Sequence, residues 1–369
     1  MRLGYHTGYW SAGPPPGALE AVLEAERLGF DSVWTAEAYG SDALTPLAWW
    51  GARTSTIRLG TAIAQLSART PTAAAMAALT LDHLSGGRFT LGLGASGPQV
   101  VEGWYGQPFP RPLARTREYV AIVREVLARE VPVAYDGEFY SLPFRGGSGF
   151  GRPLRSTVHP LRADLPIHLA AQGPRNIALA AEIGDGWLPL FYSPRMDASY
   201  RELLADGFAR RATGTGGRAP RPADEFEISA TVPVVVHDDV ERAADAVRPF
   251  IALYAGGMGA KGANFHRDAL ARLGYSDACD EIQAHYLAGR RAEAAAAVPL
   301  ELVEDVALVG PPAKIRTELA AWERTAVTTI IVQGDVRALA VVADALGTTT
   351  AYDASSGHHN AAPRSTRNP

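Results

Sequence analysis

The sequence predicts a (β/α)8 TIM barrel on two observations: strand-like and helix-like segments alternate along the 369-residue chain, and eight strands can be counted. Alternation of this kind makes a parallel sheet, and eight such repeats close on themselves. The strands are expected at 2–10, 31–37, 57–65, 88–95, 166–171, 186–191, 227–237 and 328–332. The first helix is expected at 17–28, where Leu19, Val22, Leu23 and Glu26 recur at helical spacing. Others follow at 44–54, 71–84 with Pro71 in its first turn, 112–128, 174–183, 195–211, 239–253, 312–322 and 336–346.

Two insertions interrupt this rhythm. After strand four come a Gly/Pro/aromatic loop at 97–110 and an irregular hairpin excursion at 131–163; after helix seven comes an Ala-rich, mostly helical stretch at 255–300. Residues 1–347 are read as one domain. The tail 348–369, rich in Ser, Thr, Asn and His, is expected to be disordered.

Composition narrows the function classes. With 47% hydrophobic and 20% charged residues the chain is globular, and no run of 18 apolar residues marks a membrane span. Thirty-five basic against 39 acidic residues leave a net charge of -4, with no basic block interleaved with aromatics, so neither nucleic acid nor membrane is an expected partner. The single cysteine, Cys279, excludes an intrachain disulfide and every multi-cysteine metal site, and fits a reducing compartment. His358 and His359 sit in a polar tail and are read as solvated, so no metal site is expected. The opening MRLGYHTGYW has no apolar stretch before a cleavage site, and a cytoplasmic protein is expected.

One motif is ambiguous by itself. Gly92-Leu93-Gly94-Ala95-Ser96-Gly97 matches the dinucleotide fingerprint G-x-G-x-x-G. That fingerprint belongs to a first βα turn and opens a helix at once, whereas here three βα units precede it and Pro98 with an aromatic loop follows. Small residues at a barrel rim, leaving room for a flat ring, explain it better.

Four segments in order resemble the luciferase-like superfamily, in its branch that uses the deazaflavin coenzyme F420 and is typified by methylenetetrahydromethanopterin reductase. They are 24–34 (EAERLGFDSVW), 59–63 (LGTAI), 84–94 (LSGGRFTLGLG) and 169–174 (LAAQGP). The resemblance implies the same barrel, a coenzyme F420-dependent oxidoreductase acting on a small-molecule substrate, and a homodimer. It implies a non-proline cis peptide at Ala62-Ile63 backing the deazaflavin, with Thr61, Gly94, Ala95 and Ser96 beside it. The phosphate-bearing side chain is placed against Ala171, Gln172 and Gly173, where a helix N-terminus and Arg175 favour an anion. Glu37 stands where relatives carry an acidic residue at the end of strand two. Sugar-phosphate dehydrogenases of the branch follow it with a histidine, whereas Ala38 stands here; the acidic residue they carry after strand four is also missing from Ala95-Ser96-Gly97-Pro98. Reduction of a C=C or C=N bond is therefore expected rather than sugar-phosphate oxidation.

A proton must accompany the hydride, and Glu37 and His6 are the catalytic candidates. Tyr9, Trp104 and His266 are substrate candidates. The glycines of 256–266 suggest a lid, and His168 is read as structural. Two other readings remain open: a luciferase-like monooxygenase using flavin mononucleotide (FMN), and a barrel that binds a ligand without catalysis.

Overall fold

Eight parallel strands form a closed ring in the computed structural model, which describes residues 1–211, 222–259, 262 and 264–348. They are β1 (Arg2–His6), β2 (Ser32–Thr35), β3 (Arg58–Thr61), β4 (Phe89–Gly94), β5 (Ile167–Ala170), β6 (Gly186–Leu188), β7 (Glu227–Val236) and β8 (Thr329–Gln333). Each pairs with the next, β8 pairs with β1 through Arg2↔Thr329, and Glu227↔Gly186 joins β7 to β6. The (β/α)8 barrel expected from the repeat count is the fold. Strands covered on both faces carry nearly continuous apolar runs, as in 330–332 and 234–236.

Inside the ring, bulk on one strand is matched by its absence on the next. Trp34 and Ile331 are fully buried, with Leu188 beside them. A Cβ on Gly60 would lie 2.4 Å from the Trp34 ring, and one on Gly92 would lie 1.7 Å from the Thr61 carbonyl oxygen. At the N-terminal end, Arg58 pairs with Asp31 and with Glu227, and Arg2 with Glu227. These pairs fill the barrel floor.

The structure refines several boundaries. β1 ends at His6, because Gly8 turns the chain at φ +77°. The expected strand 57–65 is split: after β3 the chain makes the cis peptide Ala62-Ile63 and resumes pairing with β4 at Ala64 and Gln65. Residues 98–103, expected as loop, form a short helix opened by Pro98. Leu308–Gly310, which sequence reading did not assign, is a short strand beside the end of β7. The first insertion contains the expected hairpin, Tyr135–Asp136 against Ser141–Leu142. The second forms its own core, where Ile251, Leu270, Ile282 and Val303 are fully buried. Thr348 donates to the Leu28 carbonyl, while 349–369, with His358 and His359, lie outside the described residues.

Gly92→Ala is expected to destabilise the chain by about 3 kcal/mol or more, because backbone rather than a flexible side chain occupies the Cβ position. Thermal unfolding of the variant checks this; an unchanged midpoint would show that β3 and β4 yield at this contact.

Candidate active site

A cavity of about 1170 Å³ opens at the C-terminal mouth of the barrel. Active sites of this fold gather at that end, where the loops after each strand converge. Its apolar base is made of Ala62, Ile63, Leu93, Gly94, Leu169, Ala170 and Leu188. The sequence candidates His6, Tyr9, Glu37, Ala62, Ile63, Gly94, Ala95, Ser96, Trp104, Ala171, Gln172, Gly173, Arg175 and His266 all border it. Thr61 does not. It is fully buried, and its hydroxyl donates to the Gly92 carbonyl at 2.7 Å and accepts from the Gly92 amide at 2.9 Å, so it ties β3 to β4 below the base.

The shape of the base follows from that tie. Between the pairs Gly60↔Thr90 and Ala64↔Leu93, residues 61, 62 and 63 face only 91 and 92, which makes a bulge. The Ala62 amide bonds the Thr35 carbonyl, and the Ile63 carbonyl accepts from the Glu37 amide at 3.0 Å. Ile63 then lies across the bare face of Gly94, where a Cβ would meet its side chain at 2.9 Å.

Glu37 is buried at the end of β2, and its carboxylate is fully engaged. Arg69 Nη1 reaches both oxygens at 2.9 Å, and the Gln65 amide donates to Oε2 at 2.9 Å. Gln65 Nε2 returns to the Glu37 and Ala38 carbonyls. The carboxylate thus braces the bulge through an arginine that sequence reading did not single out. Arg175 contrasts with it. It is exposed at the start of α1 (Pro174–Ile183), where Gly173 provides no side-chain cap, and it makes no hydrogen bond or ion pair among the described residues.

A chain of aromatic groups forms the opposite wall. His6 Nδ1 accepts from the Gly8 amide at 3.0 Å, which puts the proton of the neutral ring on Nε2. Burial pulls its pKa down to about 4, opposed by a backbone hydrogen bond at Ala62. The Tyr9 ring stands edge-on to His6 with centroids 6.3 Å apart, and its hydroxyl meets that of Tyr254 at 2.9 Å. His266 packs edge-on to Tyr254 at 4.7 Å; burial lowers its pKa to about 4, and its buried Nδ1 has no partner among the described residues. His168 lies inside the barrel, stacked on Trp34 and likewise lowered to about 4 by burial, and it does not border the cavity.

Tyr254 was not legible as a site residue, because the glycines after it suggested a lid. Instead α2 (Val240–Ala252) runs into a π-helical turn, Leu253–Gly257. The Tyr286 side chain covers this turn so closely that a Cβ on Gly256 or Gly257 would lie 2.4 or 2.3 Å from it. Asn264, 2% exposed, donates to the Tyr254 and Ala255 carbonyls at 2.8 Å and accepts from the His266 and Arg267 amides at 3.0 Å. This part of the suggested lid is packed in place; 260, 261 and 263 lie outside the described residues.

The luciferase-like monooxygenase family model matches residues 3–329. The chain belongs to that family. It is 57% identical over 334 residues to Rv3520c of Mycobacterium tuberculosis, a coenzyme F420-dependent oxidoreductase by name, spanning 90% of this chain and 94% of that one. It is 32% identical over 237 residues to 5,10-methylenetetrahydromethanopterin reductase of Archaeoglobus fulgidus, spanning 64% and 65% of the two. The coenzyme F420-dependent tetrahydromethanopterin reductase structure from Methanopyrus kandleri superposes with a TM-score of 0.75 over 93% of this chain and 97% of its own, at 22% identity, and so shares the fold. The cis peptide that the resemblance to this luciferase-like family implied at Ala62-Ile63 is present.

Three histidines, His6, His168 and His266, carry a pH dependence. Their folded pKa values lie below the unfolded value near 6.5, so the unfolded chain binds more protons as pH falls. Their contribution is neutral above about pH 6.5, and stability is lost between there and pH 4. Thermal midpoints across that range are expected to fall; His168→Phe, which keeps a flat ring against Trp34, should reduce the fall, and an identical profile would remove His168 from the account. Glu37→Ala leaves Arg69 without its close carboxylate partner, only Asp42 remaining at 3.7 Å, and exposes a bare bulge amide. A loss of about 2 kcal/mol or more in denaturant unfolding is expected, set by the cost of an unpaired buried group; an unchanged midpoint would argue for a purely chemical role.

Proposed function

We propose that this protein is a coenzyme F420-dependent oxidoreductase that passes a hydride from the reduced deazaflavin to a small organic acceptor, reducing a C=C or C=N bond. The observation that carries the coenzyme assignment is the 57% identity to a relative of that name over nearly the whole length of both chains. The cavity fits the coenzyme. At about 1170 Å³ it exceeds the roughly 300–1,000 Å³ of an ordinary single-ligand site, leaving room for an acceptor beside the cofactor. Small side chains at Ala62, Gly94, Ala95 and Ala170 leave a flat ring a bare base, and Arg175 beside the uncapped start of α1 suits an anionic side chain.

When bound, the deazaflavin supplies the hydride; the protein places the acceptor against it and excludes water. Reduction is favoured by what the walls hold. Glu37 is locked to Arg69, Ala38 stands where a histidine would be needed, and His6 has its Nδ1 occupied, so none of these three positions offers a free base to an alcohol. Burial raises the pKa of the Tyr254 hydroxyl, which therefore keeps its proton at neutral pH. A homodimer and a cytoplasmic setting belong to the same reading. Exposed Trp49, Met76 and Leu84 on the outer helices offer apolar surface to a second copy, and light scattering checks the assembly.

Separate titrations with coenzyme F420 and FMN test the assignment. Saturable binding of F420 is expected, with Arg175→Ala weakening it about tenfold at an unchanged unfolding midpoint, the size of one charge-assisted contact. Binding of FMN alone, with oxygen uptake by the reduced complex, would make the chain a monooxygenase instead. Binding of F420 with no turnover of any acceptor would leave a ligand-binding barrel.

A further inference from the structure

Resting on the hydride-transfer reading above, we infer that Tyr254 is the proton donor of the reaction, that Tyr9 holds and reprotonates it, and that the pair selects a neutral acceptor carrying one imine or conjugated carbonyl group. Four observations bear on this. First, the two hydroxyls are 2.9 Å apart at the cavity wall, joining the loop after β1 to the turn after α2, so two remote segments converge on one polar point. Second, the turn is built to hold Tyr254. Its π-helical backbone packs on Tyr286 through two glycines, and every hydrogen-bonding position of the Asn264 amide is spent tying its carbonyls to the helix that bears His266. Such turns are over-represented at functional sites.

Third, the described wall around the pair is apolar. Phe250 packs against Tyr254 with ring centroids 4.9 Å apart, Phe265, Leu190 and Met258 border the same cavity, and His266 offers a buried Nδ1 with no hydrogen-bond partner among the described residues. A carboxylate or phosphate against these groups would lose its hydration without gaining a cation from them, whereas a lone C=O or C=N group needs one donor. Fourth, Tyr9 is 42% exposed while Tyr254 is 4% exposed, so the pair connects the interior of the site to its mouth.

The proton balance closes on these groups. The hydride brings its electron pair to the acceptor carbon and forms the new C–H bond. The π pair moves to the imine nitrogen, or through the conjugated C=C to the carbonyl oxygen. That atom takes the proton from the Tyr254 hydroxyl, and Tyr254 regains one from Tyr9, which is reprotonated by water at the mouth. Direct hydrogen bonding in the bound acceptor makes Tyr254 a general acid of the kind whose removal costs about 10²–10⁴-fold in rate.

The test uses the full chain with reduced coenzyme F420 and a panel of neutral cyclic enones and cyclic imines, beside carboxylate-bearing analogues of each. The wild-type protein is expected to oxidise the coenzyme with neutral probes and at least tenfold more slowly with the acids. Tyr254→Phe should lower kcat about 100-fold with coenzyme affinity within twofold of wild type. Should that variant fail to fold or to bind coenzyme, Tyr9→Phe serves, with a drop in kcat of about tenfold expected and the KM for coenzyme unchanged. Normal coenzyme binding with no neutral probe reduced, or a folded Tyr254→Phe whose kcat is within threefold of wild type, overturns the inference while leaving the F420 assignment standing. A wild-type chain that does not bind F420 overturns both.

Discussion

The site depends on the close approach of β3 to β4 at Thr61 and Gly92. One hydroxyl serves both the amide and the carbonyl of Gly92, replacing ladder bonds that the strands no longer form directly. Because Gly92 has no Cβ, β3 can lean against it, and the extra residue that follows is forced into the bulge carrying Ala62 and Ile63. Glu37, Arg69 and Gln65 then hold that bulge from the side of β2. The base of the cavity is thus a consequence of backbone packing, and the side chains facing it can remain small.

Charge is distributed along the barrel axis with the same logic. At the N-terminal end Arg2, Asp31, Arg58 and Glu227 satisfy one another, closing that mouth with paired ions. Above them Trp34 and Ile331 make an apolar plug, and His168 is kept neutral beneath it by burial. At the other mouth the carboxylate that could have been a base is spent on Arg69, while Arg175, unpaired among the described residues, stands beside a helix start. Uncharged hydroxyls of Tyr9 and Tyr254 and the guanidinium of Arg175 border the same cavity, so its walls differ in chemistry.

The ring of eight strands was legible because buried parallel strands write themselves as apolar runs between helices of clear period, and no competing pattern fits that count. The base was legible too, since Gly92 and Gly94 cannot be explained by a strand's own preferences and a fingerprint for a helix turn was contradicted by Pro98. What escaped was set by tertiary contact. The family resemblance sets Thr61 beside the coenzyme, but in a bulge neighbouring residues need not face the same way, and its hydroxyl turns inward to β4. Leu308–Gly310 is too short to show a period and exists as a strand only because the end of β7 projects beside it.

The glycines after Tyr254 show most clearly why a local pattern misled. Glycine lowers the cost of bending and also permits close packing, and sequence by itself does not separate the two. Here the second use wins. Gly256 and Gly257 have ordinary backbone angles, outside the left-handed region, so flexibility is not what they are needed for; the space a side chain would take is filled by Tyr286. That contact fixes the turn, the turn aims a phenol at the cavity, and Asn264 secures both ends of the arrangement. Residues more than 240 positions apart, Tyr9 and Tyr254, meet only because a glycine-rich stretch was used for tight packing instead of motion.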